Sequence, residues 1–181
     1  MRSGNYAHRR YFLMLGKTMK AFITAFIFLL LVPPAVFSAQ VGSPAPPFSL
    51  KDLKGNTVNL SGFEGKVVFL DFWAPWCIPC KEELPALEGL YRIYNREGFE
   101  IIAVAVESSE KSVSRFLQRI AVSYPVVLDN NGAVSEAYRC SHMPTGYIIG
   151  REGILRYIHK GFGKDSLPIY EKEIVELLKQ H

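Results

Sequence analysis

The run Trp76-Cys77-Ile78-Pro79-Cys80 holds two thiols with two residues between them. It directly follows an apolar stretch, Val67 to Trp73, whose one charged residue is Asp71, and it leads into a helical pattern. A thiol at the start of a helix faces unpaired backbone N–H groups and the positive end of the helix dipole, both of which stabilise its thiolate. The second thiol, one helical turn on, is close enough to close a small disulfide ring. Spacing and setting together point to a dithiol that cycles, with Cys77 as nucleophile and Cys80 as the more buried resolving thiol. The same pair could instead form a static disulfide or half of a zinc site. A zinc site needs four ligands, and only Cys140 and His142 are left to complete one. Covalent haem attachment needs His directly after the pair, where Lys81 stands.

Other residues are candidates for supporting roles. Asp71 interrupts an apolar strand six residues before Cys77. Burial would raise its pKa and suit it to accept a proton from a thiol, whereas a position at a strand edge would leave it solvated. Trp76 could form an apolar rim for a partner beside the sulfur, while Trp73 reads as core. Met143-Pro144-Thr145 begins a later strand, and the residues alone favour the trans form of the Met143–Pro144 bond. His142 reads as a loop histidine, Cys140 as a part-buried free thiol and Glu107 as a strand-end charge.

These residues need a frame to hold them. Phe48-Ser49-Leu50 and Thr57-Val58-Asn59-Leu60 alternate across Lys54-Gly55-Asn56 and predict a hairpin. Residues 67–73 predict a buried central strand. Leu84, Leu87, Tyr91 and Tyr94 line one face of the helix after the thiols, which Pro85 should kink and Gly98 should end. Residues 101–106 predict a second buried strand, Ser109 the cap of a helix facing inward with Val113, Phe116, Leu117 and Ile120, and residues 126–128 a short third strand. Asp129 to Gly132 turns into a short helix. A hairpin of residues 145–149 and 154–158 follows, and then a last helix from Ser166 with Pro168 in its first turn. The order is that of an α/β fold, a central sheet flanked by helices, in one domain over residues 40–181.

Residues 1–39 read differently. Lys20 precedes an uncharged apolar run from Ala21 to Val32, then Pro33-Pro34 and small residues, the layout of a secretory signal. The alternative is a retained anchor that would hold the chain on a membrane through residues 21–39, an apolar stretch near the ~20 residues a bilayer requires. Arg9-Arg10-Tyr11-Phe12-Leu13 resembles a twin-arginine signal, but the strongly apolar middle favours ordinary export. The leader holds five of the 21 basic residues and no acid, which leaves 16 basic against 17 acidic groups, net −1. No basic stripe survives, so nucleic acid is not an expected partner. Three cysteines in an exported chain leave one thiol over.

The residues also carry a resemblance. Pro47-Phe48-Ser49-Leu50 with Asp52-Leu53-Lys54-Gly55, Gly65-Lys66-Val67-Val68 through Phe72-Trp73-Ala74-Pro75-Trp76-Cys77-Ile78-Pro79-Cys80-Lys81-Glu82-Glu83-Leu84-Pro85, Tyr124-Pro125-Val126-Val127-Leu128-Asp129, Met143-Pro144-Thr145 and Gly161-Phe162-Gly163 resemble the TlpA/ResA-like branch of the thioredoxin superfamily. These are exported thiol-disulfide oxidoreductases, among them reductases of cytochrome c maturation. The resemblance spans nearly all of residues 44–179. It implies a thioredoxin-like fold with a mixed sheet, an added N-terminal hairpin over residues 44–60 and a strand-helix insertion near residues 97–122. It implies that the Met143–Pro144 bond is cis and that Trp76, Pro79, Met143, Pro144 and Thr145 meet the substrate chain. It implies protein thiol or disulfide substrates, a membrane thiol protein as electron donor, a periplasmic or otherwise extracytoplasmic location and no cofactor or metal. Three features depart from the pattern: Asp71, where this branch often has Asn; Gly146, where a bulkier residue is common; and Cys140. The rival readings are a copper-delivery protein of the same fold with Cys77, Cys80 and His142 as ligands, and a peroxidase, which would need a lone reactive Cys in a different motif.

Overall fold

The computed structural model describes residues 39–180, so the expected leader lies outside the described residues except for Ala39. Each apolar run becomes a strand and each three-to-four periodicity a helix. In chain order these are β1 (Ser49–Asp52), β2 (Thr57–Asn59), β3 (Val67–Trp73), α1 (Cys80–Tyr94), β4 (Phe99–Val106), α2 (Glu110–Leu117), β5 (Val126–Asp129), α3 (Ala133–Ala137), β6 (Thr145–Ile149), β7 (Leu155–Lys160) and α4 (Ser166–Leu178). Among the described residues no helix is long and apolar enough to cross a membrane.

One seven-stranded mixed sheet runs in the order β2-β1-β5-β4-β3-β6-β7. The β3-α1-β4 and β4-α2-β5 segments are parallel crossovers, and the remaining neighbours pair antiparallel. β3 and β4 are therefore covered on both faces, and every residue in them is buried. That explains their continuous apolar reading. β4 starts at Phe99, earlier than its apolar run suggests, because Glu100 is buried beside Lys66 at 3.0 Å and does not break the strand.

Side chains alternate across β3. Val67, Phe69 and Trp73 join Ile101, Ala103 and Ala105 of β4 beneath Leu84 and Leu87 of α1, Val113 of α2, and Tyr170 and Ile174 of α4. Val68, Leu70 and Phe72 face the opposite layer, with Phe48, Tyr138 and Tyr147. The N-terminal hairpin forms as expected: β1 pairs with β2, and Gly55 takes the left-handed turn at φ 83° while Asp52 Oδ1 accepts from the N–H groups of Lys54 and Asn56. Ser109 caps α2 through the N–H of Ser112. α1 stays helical through Pro85, which removes one donor from its ladder. A 3-10 turn, Asn95–Glu97, and left-handed Gly98 then end it.

Candidate active site

β3 runs through the middle of the sheet and stops at Trp73, and α1 begins at Cys80. The six residues between them carry the chain over the end of the sheet. Cys77 and Cys80 are joined as a disulfide with Cα atoms 5.4 Å apart. The helix starts at the second cysteine rather than the first, so Cys77 lies in the turn ahead of it, with Pro79 at the N-cap. The Cys80 N–H donates to Cys77 Sγ at 3.3 Å, and the Cys77 N–H is tied to the Ala74 carbonyl at 3.0 Å. Both cysteines are buried, but Cys77 retains 4% exposure and Cys80 none, so Cys77 is the less enclosed of the two. Around them Trp76 is 69% and Ile78 73% exposed, and Pro79 is exposed as well.

Two acids are buried in the elements on either side of the Cys77–Cys80 turn. Asp71 is fully buried in the central strand, which removes the strand-edge reading. Its backbone neighbours in register are Ala103 and Gly146, both small. Neither Asp71 oxygen has a hydrogen-bond partner among the described residues. Glu83, in the first turn of α1, is buried too, and its Oε1 accepts from the Tyr170 hydroxyl at 3.2 Å. Burial holds the Asp71 carboxyl well above the ordinary carboxylate range. At Glu83 burial does the same, the Asp71 charge adds to it and the Tyr170 hydrogen bond opposes it. A carboxyl that keeps its proton near neutral pH can hand it over or take it back when a buried thiolate forms.

The Met143–Pro144 bond is cis, as the resemblance implies and against the reading of the residues alone. Pro144 and Thr145 are buried, and Met143 packs against the core cluster that contains both cysteines. Thr145 Oγ1 donates to the His142 carbonyl at 2.7 Å and fixes the loop before β6.

The AhpC/TSA family model matches residues 41–158. The thiol-disulfide oxidoreductase ResA of Geobacillus kaustophilus is 43% identical over 124 residues, 68% of this chain and 71% of the relative. The protein of the same name from Bacillus subtilis is 40% identical over 130 residues, 72% and 73% of the two chains. A Chlorobium tepidum structure assigned as the thiol:disulfide interchange protein DsbE superposes with a TM-score of 0.75 at 33% identity, covering 78% of this chain and 99% of that one. The chain belongs to the AhpC/TSA family. Within it, the chain is a thioredoxin-fold, ResA-like thiol-disulfide oxidoreductase.

The departures from the ResA-like pattern have physical reasons. A Cβ on Gly146 would lie 2.4 Å from Phe69 Cζ, and that ring is buried against Tyr170, with centroids 5.0 Å apart. No larger residue fits opposite Asp71 while Phe69 keeps this place. The Cys140 thiol donates to the His142 carbonyl at 3.2 Å, and burial pushes its pKa up, so it is a poor nucleophile. His142 is exposed, with Nδ1 2.9 Å from Ser141 Oγ. Among the described residues no three His, Cys, Asp or Glu side chains group as a metal set. The copper-delivery reading required His142 beside Cys77 and Cys80, and that grouping is not formed. Glu107 is exposed at the end of β4, in left-handed backbone at φ 45°. Sequence reasoning missed Glu83. Its one signal was a position directly beside Leu84 on the inward face of α1.

Proposed function

We propose that this chain is an extracytoplasmic reductase of protein disulfides in which Cys77 attacks and Cys80 resolves. The observation that carries the reading is the asymmetry of the pair: Cys77 is the less enclosed sulfur and is held by a helix-start N–H, while Cys80 is wholly enclosed in a core that also buries two carboxyls with raised pKa values. In the reduced protein the Cys77 thiolate attacks one sulfur of a substrate disulfide. The substrate S–S bond breaks, a mixed disulfide forms, and the departing substrate sulfur takes a proton. Cys80 gives its proton to an Asp71 carboxylate, in the fraction of molecules whose Asp71 has released its own proton to water, and the Cys80 thiolate attacks the Cys77 sulfur. The Cys77–Cys80 bond closes and the second substrate thiol leaves. Two electrons have passed to the substrate, carried by the two sulfurs alone.

Trp76, Pro79, Met143, Pro144 and Thr145 frame the place where the substrate chain would lie. A dithiol of a membrane thiol-transfer protein would return the electrons. Residues 1–39 would take the chain across the membrane, as a cleaved signal or a retained anchor. Protein disulfides met in cytochrome c maturation are the substrate class that the resemblance implies.

The Cys80→Ala variant tests the assignment. It should hold partners on Cys77 as mixed disulfides that dithiothreitol releases, and Cys77→Ala should hold none. Extracts of the exported compartment that yield no such adducts would overturn the reading.

A further inference from the structure

A groove of about 410 Å³ opens beside the disulfide, between the Trp76 loop and α2. Trp76, Phe116 and Ile120 give it an apolar wall, and Lys81, Arg115 and Arg119 line it with positive charge. No carboxylate lines it. Among the described residues, none of the three cations takes part in an ion pair. We propose that this groove docks the segment of the substrate protein next to its disulfide, and that the segment carries an apolar residue flanked by acidic ones. The proposal rests on the reading above that protein disulfides are the substrates.

Charge and shape both favour that occupant. Cations of one sign in a cleft with an apolar wall focus positive potential where an acidic chain would enter. Arg115 and Arg119 present planar forks that match carboxylates two bonds at a time. Trp76 leaves a large apolar surface in water that a docked side chain would cover. Because Trp76 adjoins Cys77, with successive Cα atoms about 3.8 Å apart, a residue seated on its ring lies within a few residues of the attacked sulfur. Neither cysteine contributes to the groove lining, so the groove selects the substrate while the sulfurs do the exchange.

Two disulfide peptides, identical except for glutamate-tryptophan or lysine-tryptophan flanks, test this against pre-reduced full-length protein under single-turnover conditions. Each rate is normalised to the same preparation's rate with an uncharged small disulfide. The acidic peptide should react at least tenfold faster at low ionic strength, and salt should bring the ratio towards one. In an Arg115→Glu, Arg119→Glu double variant, shown to be folded by its thermal transition, the ratio should fall below one. Equal rates for both peptides, or a preference that survives the double variant, would overturn the groove proposal and leave the reductase reading standing. Failure to reduce either peptide or the small disulfide would overturn both. Sedimentation that finds a dimer which the double variant dissolves would assign the groove to a second copy and overturn it too.

Discussion

Asp71 and Glu83 place two acids in the core where an apolar pair would pack with less desolvation. Their folded pKa values are raised, so the folded protein keeps protons that the unfolded chain gives up above its ordinary carboxyl pKa, about 4. Stability is therefore fully present below about pH 4 and is lost as pH climbs through the raised folded values. Denaturant titrations over a pH series should show this decline. Asp71→Asn and Glu83→Gln should each flatten it, gaining on the order of 1–3 kcal/mol at pH 8. A decline of unchanged slope in both variants would disprove the assignment. Asp71 was legible in the sequence because a lone acid inside seven apolar-strand residues has few explanations. Glu83 was not. Its burial is completed by Tyr170, 87 residues away, and no local pattern reports a contact at that separation.

The elements were legible where periodicity was long and blurred where a contact from elsewhere set the boundary. β3, β6 and α4 follow their patterns closely. The apolar run of residues 101–106 stops short of Glu100, whose burial beside Lys66 lets the strand begin at Phe99. Close packing between elements also fixes residues that have no chemistry of their own. Gly146→Ala drives a methyl into Phe69, whose ring is backed by Tyr170. It should destabilise the protein by about 1–3 kcal/mol in urea titration, and a smaller Phe69→Leu change made with it should recover part of the loss. Arg151 joins three elements. Its guanidinium donates to the carbonyls of Gly65 before β3, Glu97 before β4 and Leu178 in the last turn of α4. Arg151→Ala should cost about 1–3 kcal/mol and speed amide exchange at the end of α4, whereas Arg156→Ala, on an exposed pair with Glu152, should cost under about 1 kcal/mol.

At the scale of the whole molecule the class of fold followed from element order, and the resemblance supplied the topology. The groove was not legible, because it joins Trp76 and Lys81 to Arg115 and Arg119 across a crossover that no sequence window spans. The leader reading invites a separate test. Residues 1–39 fused to a phosphatase that works only outside the cytoplasm should give active enzyme, and the fusion lacking them should not. An inactive fusion would remove the extracytoplasmic location. Among the described residues the outermost strands of the sheet are β2, three residues long, and β7, which bears Arg156 and Lys160, slips register opposite Ile148 and Ile149, and is covered at Leu155 by the backbone of Gly42 and Ser43. A short rim and a charged, irregular one give a neighbouring copy little backbone to zip onto. The sheets should therefore resist joining end over end into fibres, and the two most exposed large apolar side chains among the described residues, Trp76 and Ile78, mark the corner beside the disulfide.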